Sequence, residues 1–131
     1  MAEAIKTLNK RVLVVEDDEM LLEMYKEKLK LEGFRVSCVS DGKKALARIK
    51  LGADLILLDI LMPELNGFEV LKRLRQNPET SKIPVIVLTN IGGESTDKDK
   101  QLAISLGATD YMIKALNTPD QVVNKINSIL K

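Results

Sequence analysis

The sequence predicts an α/β protein in which five strand–helix units form one doubly wound parallel sheet with helices on both faces. Three observations carry this. The runs Val12-Leu13-Val14-Val15 and Leu55-Ile56-Leu57-Leu58 are short and continuously apolar, as strands buried on both faces are. Amphipathic helical stretches alternate with such runs along the whole chain. Acids follow two of the runs directly, Glu16 and Asp17 after the first and Asp59 after the second. That places them at the carboxyl ends of central strands, where open α/β sheets bind ligands. Carboxylates gathered there repel one another unless a cation joins them. The arrangement points to a divalent metal and phosphate-type chemistry.

The elements follow in order. After the first strand, Glu19 to about Leu31 puts Leu22, Tyr25 and Leu29 on one helical face, and Glu32-Gly33 stops the helix. Phe34 to Val39 reads as a second strand. Ser40-Asp41-Gly42 is a turn and helix start; Ala45, Leu46 and Ile49 stripe the second helix, and Gly52 ends it. Asp54 to Leu58 is the third strand. Met62 to Gly67 is a loop by its Pro, Asn and Gly content. Phe68, Leu71 and Leu74 carry the third helix, and Pro78 to Lys82 is a connector. Pro84 to Leu88 is the fourth strand, with proline tolerated at its first residue. Asn90 to Thr96, with Gly92 and Gly93, is expected to be a mobile loop. Asp97 to about Leu106 is a short polar helix closed by Gly107, and Thr109 to Ile113 is the fifth strand. Pro119 sits in the first turn of a last helix lined by Val122, Ile126 and Ile129.

Bulk properties bound the rest. The chain has 131 residues, enough for one domain. Residues 1–9 read as a polar lead-in and residues 10–131 as the domain, with no linker, repeat or low-complexity tract. With the fifth helix taken as the end of the domain, no output domain is expected within these residues. Net charge is +1, so there is no electrostatic case for nucleic-acid or membrane binding. No apolar stretch approaches the ~18–20 residues of a membrane span, and no signal-peptide core precedes the domain. A cytoplasmic protein is the expectation. The single Cys38 excludes an intrachain disulfide and reads as a core packer. There is no histidine, which removes His-based acid/base chemistry and His metal ligation. The scarcity of aromatics argues against base stacking or a flavin.

The residues after the strands are Glu16 and Asp17, Asp59, Thr89 and Lys114. Val14-Val15-Glu16-Asp17-Asp18, Leu57 through Pro63 to Gly67, Pro84 to Thr89 and Leu106 to Lys114 resemble the receiver domain of two-component response regulators. The resemblance covers nearly the whole chain from about Lys10. The strand order 2-1-3-4-5 of a flavodoxin-like sandwich comes with it. It implies that Asp59 is the phosphoacceptor, that Mg²⁺ is held by Glu16, Asp17, Asp59 and the backbone carbonyl of Leu61, and that Lys114 and Thr89 contact the phosphoryl group. Three carboxylate charges would be balanced by Mg²⁺ and the Lys114 ammonium. Thr89 and Tyr111 would act as the switch pair. A histidine kinase or phosphotransfer protein would lie upstream. A protein partner would lie downstream, on the surface of the fourth helix, fifth strand and fifth helix, which could also form a homodimer.

Plainer readings stand beside these. Asp17 or Asp18 could cap the first helix. Thr89 could be a turn hydroxyl, Lys114 a solvated charge and Tyr111 a core aromatic. Met20 and Met62 are expected to pack, and Lys26, Glu27, Lys28 and Lys30 to form a solvated face. Two other functions stay open. One is a Mg²⁺-dependent phosphohydrolase with an aspartyl nucleophile, which Leu61 disfavours because an acid/base Asp would be needed there. The other is a receiver-like binding module that works without phosphate. A flavodoxin-like electron carrier is more distant. Two residues depart from the family pattern, and two more bear on the lifetime of the phosphoryl group. Ala115 follows Lys114 where proline is usual. Asn90 follows Thr89 where a smaller residue is commoner, and should slow small phosphodonors. Leu61 and Ile91 are aliphatic where a group could orient water, so the phosphoryl group should last minutes to hours.

Overall fold

The computed structural model describes residues 9–90 and 96–130. The strands are β1 (Arg11–Val15), β2 (Arg35–Val39), β3 (Leu55–Leu58), β4 (Val85–Thr89) and β5 (Asp110–Ile113). The helices are α1 (Glu19–Leu31), α2 (Gly42–Arg48), α3 (Gly67–Gln76), α4 (Thr96–Ser105) and α5 (Pro119–Leu130), and a 3-10 turn, Ile49–Leu51, extends α2. All strand pairs are parallel, in the order β2-β1-β3-β4-β5. The expected fold class is the observed one.

The period of two along each strand divides the core. Leu13, Val15, Ile56, Leu58, Val85 and Val87 pack with Ala45 of α2, Val70, Leu71 and Leu74 of α3, and Ala103 of α4. Val12, Val14, Leu55, Leu57, Ile86 and Leu88 pack on the other face with Tyr25 and Leu29 of α1 and with Val122, Val123 and Ile126 of α5. β1, β3 and β4 are covered on both sides, which is why their sequences are continuously apolar.

Side-chain caps fix several helix starts. Asp18 accepts from the amides of Met20 and Leu21, Asp41 from Lys44, and Asn66 from Glu69. Thr118 and Gln121 bond each other's amides reciprocally at the start of α5.

Several boundaries move by a residue, with local causes. Phe34 lies outside β2 because its amide closes α1 on the Leu29 carbonyl at 3.1 Å. Thr109 precedes β5, and its hydroxyl accepts from the Val85 amide at 3.1 Å. The second helix ends at Arg48 and tightens into the 3-10 turn before Gly52, whose φ of 88° few other residues adopt. Residues 1–8 of the expected lead-in, and the expected loop with Ile91, Gly92 and Gly93, lie outside the described residues.

Candidate functional site

The carboxyl ends of β1, β3 and β5 meet at one rim of the sheet. The order 2-1-3 makes β1 and β3 neighbours, with Val15 opposite Leu58. The residues that follow them, Glu16 and Asp59, are therefore side by side. The Glu16 amide donates to Val39 at 3.1 Å and the Asp59 amide to Val15 at 3.0 Å, so the parallel ladder carries on into both acids. Both are buried, at 3% and 4% exposure, whereas Asp17 is exposed. Ligand oxygens of Glu16, Asp17 and Asp59 all lie within 4.8 Å of one another.

Lys114 reaches in from the end of β5. Its Nζ is 2.7 Å from Glu16 Oε2 and 3.5 Å from Asp59 Oδ2, and its amide donates to the Thr89 carbonyl at 2.8 Å. No described peptide bond is cis, so the Lys114–Ala115 bond is trans, and the lysine still reaches both acids. Asp59 Oδ1 accepts from the Leu61 amide at 3.2 Å. Burial, and then the negative charge of Glu16, push the Asp59 carboxyl up to about 6; Lys114 and the Leu61 amide oppose them. Three carboxylates against one ammonium leave the cluster short of positive charge. A small hard cation with oxygen preference, such as Mg²⁺, fits that donor set.

A cleft of about 300 Å³ opens over the cluster, lined by Glu16, Asp17, Asp18, Leu21, Asp59, Leu61, Asn90 and Lys114. Asn90 is exposed at its edge. Thr89 ends β4 fully buried and is not among the described residues that line the cleft. Gly67 starts α3 directly under the loop that follows Asp59: a Cβ there would collide with the Asp59 carbonyl oxygen. The sequence reading missed this packing requirement, although Gly67 was part of the matching motif.

Other expectations resolve differently. Tyr111 is buried in the α2–α3–α4 layer, and its hydroxyl has no hydrogen-bond partner among the described residues. Burial raises its pKa, assisted by the charge of Asp99. Met62 packs as expected, but Met20 does not: it is 85% exposed, because it falls on the solvent side of the first turn of α1. Cys38 is a half-buried free thiol whose pKa burial raises. Asp18, not Asp17, caps α1.

Fold and site together define a doubly wound α/β domain with an acidic cluster, fit for a small hard cation, at the carboxyl ends of its central strands. The sequence profile of the response regulator receiver domain matches residues 12–127, and the chain belongs to that family. The transcriptional regulatory protein CpxR of Klebsiella pneumoniae is 43% identical over 121 residues, covering 92% of this chain and 49% of its own length. The phosphate regulon regulatory protein PhoB of Rhizobium meliloti is 35% identical, covering 92% of this chain and 52% of its own. The chain thus spans about half the length of the curated relatives it matches. Among solved structures, a response regulator from Chloroflexus aurantiacus has 32% identity and a TM-score of 0.83, covering 93% of this chain and 98% of its own. The chemotaxis response regulator CheY4 of Vibrio cholerae has 27% identity and a TM-score of 0.83, over 92% of this chain and 98% of its own. No helix among the described residues is long and apolar enough to cross a membrane.

Proposed function

We propose that this receiver domain is a phosphorylation-controlled switch with Asp59 as its phosphoacceptor. The carrying observation is the buried Asp59 carboxylate set between Glu16, Asp17 and the Lys114 ammonium. In the reaction, an Asp59 carboxylate oxygen forms a bond to phosphorus while the bond from phosphorus to its donor breaks. The donor would be a histidine kinase or phosphotransfer protein, which supplies the histidine this chain lacks. Glu16, Asp17, Asp59 and the Leu61 carbonyl are the residues that would hold Mg²⁺. Once bound, Mg²⁺ supplies positive charge against the phosphoryl oxygens. Lys114 adds its own charge from the side of β5, and Thr89 would donate its hydroxyl to a phosphoryl oxygen. Its movement would draw on the buried Tyr111 ring and bias the surface of α4, β5 and α5 toward a partner or a second copy. Leu61 has no group to orient water, so the phosphoryl group would persist for minutes to hours. A regulatory protein acting in the cytoplasm is the reading that accompanies this.

Intact-mass spectrometry with acetyl phosphate and Mg²⁺ tests the proposal. Wild type is expected to gain one phosphoryl unit and Asp59→Asn none. An unmodified wild type would favour a binding module that works without phosphate. In the same assay Asn90→Ala should phosphorylate several-fold faster, because the side chain at the cleft edge shortens. An unchanged rate would remove Asn90 from the access path.

A further inference from the structure

The pole of the sheet opposite the acidic cleft carries the reverse charge. Arg11 and Arg35 open β1 and β2 and stand in register beside each other. Like charges placed side by side on neighbouring strands oppose pairing. They share the sheet face that carries α2, since Leu13 and Val15 of the same alternation pack there. The end of α2 and its 3-10 turn add Arg48 and Lys50 to the same corner. None of these four side chains forms an ion pair among the described residues, although the Asp54 carboxylate accepts from the Arg11 backbone amide at 2.7 Å and offsets part of the corner's charge. The Arg11 guanidinium instead donates to the Leu51 carbonyl at 2.8 Å, which ties it to the turn. The whole chain carries only +1, so the corner is a local concentration and not a general basicity.

The same corner is apolar at its centre. Leu51 is 68% exposed. A shallow groove of about 550 Å³ runs past it over Val39 and Ala47, rimmed by Lys44, Arg48 and Lys50. A second cleft of about 460 Å³ adjoins it, containing Arg11 and Lys50. A helix C-terminus attracts cations, and that suffices for Arg48 and Lys50. It explains neither the Arg11–Arg35 pair nor the uncovered leucine.

We propose that this corner docks an acidic protein segment. An aliphatic side chain of the partner would sit against Leu51, and its carboxylates would meet Arg11, Arg48 and Lys50. Charge complementarity selects acid. Cations rimming an apolar floor, in place of a uniformly basic plane, select a folded or extended peptide over a bilayer surface. Most of the corner lies at the amino ends of the strands, and its groove reaches Val39 at the carboxyl end of β2, whose carbonyl accepts from the Glu16 amide at 3.1 Å. Docking here uses none of the residues proposed to hold metal or phosphate.

The test is an amide-shift titration of the full chain with a synthetic amphipathic peptide of Glu, Asp and Leu. Its controls are the same peptide with Lys for every acid, and vesicles of phosphatidylglycerol in phosphatidylcholine. Shifts are expected in residues 35–39 and 44–53, with loss of binding on adding salt. The double variant Arg48→Glu, Lys50→Glu should weaken binding by roughly tenfold or more. Leu51→Asp should weaken it similarly and Leu51→Met should not. Asp59→Asn should bind as wild type does, which separates this outcome from any failure of phosphorylation. The proposal is overturned by no binding, by shifts centred elsewhere, by indifference to the double variant, or by vesicles binding in place of the peptide.

Discussion

Asp59 holds its charge at a cost to the fold. Burial and Glu16 raise its carboxyl to about 6, against about 3.9 in an unfolded chain. The folded state therefore keeps the proton more readily than the unfolded one between those values. The penalty is absent below about pH 4, grows as pH rises, and is complete above about pH 6. In chelator, Asp59→Asn should raise stability at pH 7 by about 1–3 kcal/mol, and the advantage should vanish toward pH 4. Urea melts of both proteins across that range check this; an advantage that is constant with pH would contradict it. Tyr111 offers a second case. Its buried hydroxyl has no partner among the described residues, so Tyr111→Phe should be neutral or stabilising by up to about 1–2 kcal/mol in the unphosphorylated protein. A loss of stability in thermal melts would mean the hydroxyl is satisfied in solution.

At the scale of elements, the helix starts carry separable contributions. Asp18 accepts two amides at the start of α1, so Asp18→Ala should cost about 1 kcal/mol. Chemical denaturation measures this, and the same substitution at the uncapping Asp17 should cost less. The strands and their acids were legible because burial on both faces leaves an unbroken apolar run, and a polar residue at its end is conspicuous. The strand order was not legible from periodicity; it came with the resemblance. The exposure of Met20 escaped because a methionine beside a pocket looks like packing, whereas the phase of α1 turns it outward. The hydroxyl of Thr109 in the ladder and the tightened end of α2 are tertiary choices with no local signature. The basic corner was invisible for a related reason: Arg11, Arg35, Arg48 and Lys50 are far apart in the chain and meet only once β2 pairs with β1.

At the scale of the molecule, the sheet is a partition. The layer with α2, α3 and α4 holds Tyr111, and the layer with α1 and α5 holds Leu29 and Ile126. Among the described residues the buried apolar side chains form two separate clusters, one in each layer, so their energetics should be nearly separate. Leu71→Ala and Leu29→Ala should each cost about 2–5 kcal/mol. Combined in a background stable enough to remain folded, they should sum to within about 0.5 kcal/mol. A large coupling energy in that double-mutant cycle would show that the sheet transmits strain. If additivity holds, drift can repack the interior of the α1–α5 half without retuning the layer around Tyr111. Only the outward surface of α5, shared with the proposed switch face, would then stay tied to the response.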